Sequence, residues 1–231
     1  AVMGIHQSTL KYVAENAESS STRSSILVSA LGVTAILGSL AALICWASSG
    51  LVGTLLSSPA VGIGQGYVAL GLLFFALNKV VLAHLNGTRR MKAFAFFQAL
   101  RVVLMLASLG VLAWQEMPSS MLPFVLTLGE LGTLVGALLI VIPDLKIGNF
   151  NELIAWGKKH TAFGVKGFMS GVMMELNTRV DILMLGFFSS DAVVGIYSFA
   201  AICAEGFFQL LVILRNNYNP ILVRLLSENK L

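Results

Sequence analysis

Residues 26–46 read ILVSALGVTAILGSLAALICW, and this stretch decides the fold because it contains no charged side chain. A bilayer core of about 30 Å is crossed by about 20 helical residues at about 1.5 Å each. The rest of the chain has the same character, with 57% hydrophobic and 11% charged residues. Soluble domains carry about 25% charged residues, because their surfaces face water. The sequence therefore predicts an all-α integral membrane protein.

Further stretches of similar length and hydropathy follow along the chain. Together they predict a bundle of about six transmembrane helices, over residues 26–46, 61–83, 93–114, 120–142, 161–188 and 193–214.

The distribution of Lys and Arg predicts how these spans are oriented. Residues 11–25, 84–92, 143–166 and 215–231 hold 12 of the 15 Lys and Arg residues. The alternate connections, 47–60, 115–119 and 189–192, hold none. Basic loops remain in the cytoplasm. The pattern predicts a multi-pass protein of the cytoplasmic membrane with both ends of the chain on the cytoplasmic side.

The longest connection, residues 143–160, is a candidate joint between two halves. Ile147, Phe150, Leu153 and Ile154 fall near one helical face, and two lysines, Lys158 and Lys159, follow. This pattern is typical of an amphipathic helix at the membrane surface. An ordinary loop between spans fits the same residues, so both interpretations stay open at this stage.

Several charged residues fall inside the predicted spans. Each costs about 2.5–3.5 kcal/mol near the centre of a membrane helix, so we expect them to face the bundle interior or a wet cavity. One interpretation is structural, with ion pairs holding helices together; the other is a polar cavity that a charged solute crosses. The charged residues are Arg101, Glu130, Glu175, Arg179, Asp181 and Glu205.

The residue types suggest roles within such a cavity. Arginine binds phosphate through two parallel hydrogen bonds, which makes Arg101 and Arg179 candidates for substrate binding. Glu175 precedes Arg179 by four residues on the same helical face and is its expected partner. The remaining carboxylates, Glu130, Asp181 and Glu205, are candidates for ion pairing or for coupling to a proton or sodium gradient.

Other function classes lack sequence support. There is no HExxH, Walker or G-x-S-x-G motif, so we predict no enzyme, no catalytic residue, no metal site and no bound cofactor. No basic face with interleaved aromatic residues is present, so we predict no nucleic-acid partner. The lipid bilayer is the first expected partner.

Residues 176–200, LNTRVDILMLGFFSSDAVVGIYSFA, carry a resemblance to a known family. They resemble the start of the second lobe in polysaccharide flippases of the O-antigen type. These flippases belong to the multidrug, oligosaccharidyl-lipid and polysaccharide exporter superfamily. Residues 4–16, 85–101 and 215–226 are also similar to that family, in order along the chain. The candidates for substrate binding are then Arg101, Arg179 and Asn177.

The resemblance implies a two-lobed fold of twelve or more helices, of which this chain is a fragment. On that template, residues 1–142 are part of the first lobe, with the end of one span and four full spans. Residues 143–160 form a cytoplasmic amphipathic linker, and residues 161–231 begin the second lobe with two spans.

The resemblance also implies a function. The protein is expected to flip a polyprenyl-pyrophosphate-linked oligosaccharide across the bacterial inner membrane, by ion-coupled alternating access. This activity serves the biosynthesis of cell-surface polysaccharides such as lipopolysaccharide, with a polysaccharide polymerase or glycosyltransferases as further partners. Two alternatives stay open: a multidrug or toxin cation exporter (an antiporter of the same fold), and a membrane scaffold subunit that transports nothing.

Overall fold

The computed structural model describes residues 4–146 and 149–227, and within these ranges the chain is helical with no β-strand. Single 3-10 turns lie at Ser119–Met121 and Ile142–Asp144. The prediction of an all-α protein is confirmed. The helices are α1 (Ile5–Glu15), α2 (Ser20–Ala47), α3 (Ser49–Leu55), α4 (Pro59–Gly87), α5 (Met91–Trp114), α6 (Phe124–Val141), α7 (Phe150–Phe188) and α8 (Asp191–Ser227).

Five helical segments of the described chain are long and apolar enough to cross a membrane: Ser20–Ala47, Pro59–Gly87, Met91–Trp114, Ser119–Val141 and Asp191–Phe208. Each overlaps one of the predicted spans. The remaining prediction, residues 161–188, lies inside the continuous helix α7. Lys166, Glu175, Arg179 and Asp181 lower the hydropathy of that stretch. The multi-pass membrane architecture follows from the other five helices.

The chain divides into two compact units, Ala1–Glu175 and Leu176–Leu231. In the first unit, α4 is the central helix and packs against α1, α2, α3 and α6, while α5 packs mainly against α6. The buried side chains of these helices form one apolar core, which includes Leu27, Ala76, Val80, Leu85, Phe97, Leu134 and Val141.

The start of α4 contacts α3 through glycine. A methyl group on Gly62 would lie 2.7 Å from the carbonyl oxygen of Ser49, and Gly53 packs against Gly62 from the other helix. The connection 47–60, which hydropathy alone describes as a loop, therefore contains a short helix packed closely on the next span. Small residues allow this approach because they leave room for the neighbouring backbone.

Residues 143–160 combine a turn with the beginning of α7. The chain leaves α6 through the turn at Ile142–Asp144, and the helix that begins at Phe150 continues without interruption to Phe188. Phe150 and Ile154 are exposed, whereas Ile147 of the predicted amphipathic face lies outside the described residues. The assignment of lobes and of a cytoplasmic linker stays a prediction.

Candidate functional site

The first polar site lies among α4, α5 and α6, in the first compact unit. Arg101 Nε contacts Glu130 Oε1 at 2.9 Å, and the Glu130 side chain is almost fully buried while Arg101 is 31% exposed. Asn78 Nδ2 donates to Glu130 Oε2 at 2.8 Å and to the Glu130 carbonyl oxygen at 2.7 Å. Both carboxylate oxygens of Glu130 are therefore occupied, and the arginine is anchored from its buried side.

An aromatic ring adjoins this ion pair. The guanidinium carbon of Arg101 lies 5.3 Å from the ring centroid of Phe75, and Lys79 Nζ lies 4.5 Å from the same centroid. Phe75 and Lys79 are four residues apart on α4, so they lie on one face of the helix. Cations within about 6 Å of an aromatic ring are attracted by its negative face. Two cationic groups, of Lys79 and Arg101, thus lie near the Phe75 ring, and one of them is paired with the buried Glu130 carboxylate.

The second polar site lies between α7 and α8, in the second compact unit. Arg179 Nη1 contacts Glu205 Oε1 at 3.0 Å, and Arg179 Nη2 donates to Glu205 Oε2 at 3.3 Å. Arginine meets the carboxylate with two parallel contacts, which fixes the orientation of both groups. The pair borders a groove of about 470 Å³, with Thr178, Arg179, Asp181, Ile182, Tyr197, Ala201, Ala204, Glu205 and Phe208 as its lining.

Asp181 borders the same groove but has a different partner. Tyr197 donates its hydroxyl hydrogen to Asp181 Oδ2 at 2.5 Å, and the backbone N–H of Ile182 donates to Oδ1 at 2.9 Å. These donors are neutral, whereas Glu205 is bonded to a guanidinium. The two acids of the groove therefore differ in how their negative charge is balanced.

The structure brings the predicted residues together in two groups. Arg101 and Glu130 form one contact, and the groove of the second unit contains Arg179, Asp181 and Glu205. The carboxylate found at the Arg179 fork is Glu205 on the facing helix. Glu175 and Asn177 are exposed on α7. The roles assigned to these residues stay predictions.

Sequence reasoning missed four residues of these sites. Asn78, Phe75 and Lys79 are not among the candidate residues that the sequence indicates. Tyr197 was noticed only as part of the family resemblance. Asn78 gave one available signal, because a buried amide in an apolar stretch needs hydrogen-bond partners inside the protein.

The two sites can serve different chemistry. A half-exposed arginine whose buried side is fixed can receive an anion on its open side, since guanidinium has five N–H donors. A carboxylate that forms no salt bridge can bind a cation without displacing an arginine, whereas a carboxylate paired with arginine must first lose that partner.

Comparison with family profiles gives one match over nearly the whole length. The profile described as "Polysaccharide biosynthesis protein" covers residues 1–226. The chain belongs to this polysaccharide biosynthesis family. Comparisons with curated proteins and with solved structures gave no significant match.

Family membership confirms the resemblance that residues 176–200 suggested. The family is of the polysaccharide-transporter type, and the apolar helices make this member a multi-pass membrane protein. Its place is therefore in the membrane part of polysaccharide biosynthesis.

Proposed function

We propose that the protein flips a polyprenyl-pyrophosphate-linked oligosaccharide from the cytoplasmic to the outer face of a bacterial inner membrane. The observation that carries this proposal is the match to the polysaccharide biosynthesis family over residues 1–226. Such a substrate has a charged headgroup and a lipid tail. A flippase must therefore offer the headgroup a polar path while the tail remains in the bilayer.

The polar sites support this path. Uncompensated charge inside a membrane is costly, and ionisable residues there commonly mark a solute pathway. Arg101 is fixed by Glu130 but remains partly open, so it can bind phosphate oxygens without moving far. Arg179 has the same chemistry at the groove between α7 and α8. In an alternating-access cycle these arginines would bind the pyrophosphate in turn.

Coupling to a proton or sodium gradient is part of the proposal, and Asp181 is its best candidate. Its carboxylate is bonded to Tyr197 and to a backbone N–H, and no Lys or Arg of the described residues forms a salt bridge with it. Binding of a proton or a sodium ion would neutralise it without breaking an ion pair. Polysaccharide polymerases and glycosyltransferases are the partners that would make the substrate and use the product.

The test is a flipping assay with the full chain in lipid vesicles. A fluorescent polyprenyl-pyrophosphate oligosaccharide is incorporated, and its exposure to an added glycosidase is followed over time. We expect flipping by the wild-type protein, a loss of about 10-fold or more in Arg179→Ala from removal of a charge-assisted contact, and loss of the gradient dependence alone in Asp181→Asn.

Other results would lead elsewhere. No flipping by the wild type together with efflux of a cationic dye would replace this proposal with a drug exporter. Absence of both flipping and dye efflux would favour the scaffold subunit. Full flipping by both Arg101→Ala and Arg179→Ala would remove the arginines from the substrate path while leaving the flippase function in place.

A further inference from the structure

The charges around Phe75 do not balance. Two cations, Lys79 and Arg101, lie against this ring, whereas one carboxylate, Glu130, is close enough to either of them for an ion pair. That carboxylate is bonded to Arg101 through Oε1 and to Asn78 through Oε2. Among the residues whose side chains the structure describes, no carboxylate forms a salt bridge with Lys79.

The position of this excess charge is unusual. Lys79 is half-buried within α4, one of the apolar helices long enough to cross a membrane. His6 of α1 is an electrostatic neighbour of Lys79 and offers no negative charge. A cation inside a membrane protein is commonly balanced by an acid or faces a solute pathway. Here the buried acid, Glu130, is already paired with Arg101 and hydrogen-bonded to Asn78.

Part of the Arg101 guanidinium is not used by Glu130. Arg101 meets Glu130 through Nε, the nitrogen nearest its own chain, which leaves the two terminal nitrogens for another acceptor. Lys79 Nζ lies 4.5 Å and the Arg101 guanidinium carbon 5.3 Å from the centroid of one ring. The two cations are therefore separated by no more than the sum of these distances, which a pyrophosphate with oxygens at both ends is long enough to bridge. An ammonium and a guanidinium within reach of one ligand suit phosphate oxygens, with arginine supplying the fork and lysine a point charge.

We propose that Lys79 and Arg101, held by Phe75 and by the buried Glu130–Asn78 pair, form a binding site for a pyrophosphate group. This inference rests on the proposed function and deepens it by naming where the headgroup binds within the first compact unit. Lys79 supplies the charge that Glu130 does not balance. Glu130 and Asn78 are positioning residues, because they orient Arg101 and do not themselves contact the ligand.

The two sites of the molecule differ in a way that supports this assignment. Arg179 uses both terminal nitrogens on Glu205, so an anion must displace that carboxylate to bind there. Arg101 needs no such displacement, because its terminal nitrogens are not used by Glu130. Initial capture of the pyrophosphate therefore belongs to Lys79 and Arg101.

Binding measurements on the full chain in detergent test this site with three probes. A short-chain polyprenyl pyrophosphate carries the group on a lipid, inorganic pyrophosphate carries the group alone, and polyprenol carries the lipid alone. The variant is Lys79→Gln, which breaks no ion pair. The matched control is Lys92→Gln, which removes the same charge from an exposed position at the start of α5.

We expect Lys79→Gln to weaken binding of polyprenyl pyrophosphate by about 10-fold, the scale of one charge-assisted contact. Lys92→Gln should bind as the wild type does, and Lys79→Arg should keep most of the affinity. Polyprenol should bind equally to all forms. A parallel loss for inorganic pyrophosphate would identify free phosphate compounds as sufficient ligands, whereas a loss confined to the lipid would identify the lipid headgroup.

Unchanged affinity for polyprenyl pyrophosphate in a folded Lys79→Gln protein would overturn the site, and so would a wild-type protein that binds neither pyrophosphate probe. If Lys79→Gln fails to fold, Phe75→Leu provides the second variant, since it removes the ring that both cations contact. If the wild type flips the substrate and these variants bind it normally, the proposed site is rejected while the flippase function stands. Lys79-dependent binding without flipping would keep the site and reject the flippase.

Discussion

Asn78 shows how a single buried amide organises the first polar site. It is 1% exposed and donates to both the backbone and the side chain of Glu130. A buried carboxylate is stable only where hydrogen bonds and a counter-charge replace water. The amide and the Arg101 guanidinium provide both, so Glu130 can remain within an apolar helix.

Replacement of Asn78 should therefore destabilise the protein. In Asn78→Ala, Glu130 Oε2 loses its donor while it remains buried, and we expect the free energy of unfolding to fall by about 1–3 kcal/mol. Thermal unfolding in detergent measures this loss. Asn151→Ala, at an exposed position near the start of α7, is the matched control and should unfold as the wild type does. Equal stability of the two variants would show that the Asn78 bonds contribute nothing.

At this scale the sequence could predict that charges lie inside the spans, but it could not predict which charges pair. Helical spacing indicates Glu175 as a partner of Arg179, which stays a prediction, and the structure adds Glu205 of the facing helix at the Arg179 fork. A contact between residues 26 positions apart depends on how two helices pack, and a single sequence contains no signal for it. Asn78 and Glu130, 52 positions apart, illustrate the same limit.

At the scale of helices, Gly62 and Gly66 show that the same sequence spacing can have different packing at its two positions. Both belong to one G-x-x-x-G pattern on α4, yet they have different surroundings. A methyl group at Gly62 would lie 2.7 Å from the Ser49 carbonyl oxygen, whereas at Gly66 it would meet nothing within 4 Å. Such spacing allows close helix packing at both positions, and the structure has it at the first.

The two glycines therefore make a matched pair of substitutions. Gly62→Ala should destabilise the contact of α3 with α4 by about 1–3 kcal/mol, because overpacking forces backbone shifts. Gly66→Ala should be neutral or stabilising by up to about 1 kcal/mol, since alanine restricts the unfolded chain and favours helix. Unfolding midpoints in the same detergent would show the difference, and the opposite order would contradict the packing of α3 on α4.

His160 connects three helices of the first unit. Its Nδ1 lies 2.6 Å from Ser8 Oγ on α1, and its Nε2 lies 3.2 Å from the Ile26 carbonyl oxygen on α2. The Tyr12 ring packs edge-on against the imidazole, and Lys11 Nζ lies 5.6 Å from the Tyr12 ring centroid. Burial lowers the pKa of His160 to about 4, although the hydrogen bond with Ile26 raises it in part.

The lowered pKa predicts a loss of stability in acid. Between pH 6.5 and about 4 the unfolded chain binds a proton at His160 and the folded chain does not. The free energy of unfolding therefore falls as the pH falls, by about 3 kcal/mol in total over this window. Denaturant unfolding at neutral and at acidic pH measures the effect. His160→Gln should be less sensitive to pH over the same range, and an unchanged dependence would remove His160 as its cause.

At the scale of the whole molecule, hydropathy predicted the spans because the apolar bilayer core itself dictates it. Apolar side chains must cover the bilayer core, so the spans could be located without knowledge of their contacts. Five of the six predicted spans coincide with apolar helices. The sixth, in α7, contains Arg179 and Asp181, two residues with roles in the proposed function. Its charges lower the hydropathy of the stretch, so composition alone identifies this helix least well.

The orientation of the molecule is the prediction that every functional assignment requires. The basic segment 84–92 should face the cytoplasm and the segment 115–119 should face outward, because Lys and Arg are retained inside during insertion. In a chain with Cys45 and Cys203 replaced by alanine, Met117→Cys should react with a membrane-impermeant maleimide added to intact cells. Lys92→Cys should react only after the membrane is opened.

The reverse labelling pattern would change the mechanism at its first step. Lys79 lies nearer the Gly87 end of α4 than its Pro59 end, and Arg101 lies nearer the Met91 end of α5 than its Trp114 end. Both are thus about 12–15 Å from the helix ends next to the segment 84–92, at about 1.5 Å per residue. With 84–92 in the cytoplasm, the proposed pyrophosphate site faces the side where lipid-linked oligosaccharides would be assembled, and capture precedes translocation. With 84–92 outside, the same residues would face the product side, and they would have to release the headgroup instead of capturing it.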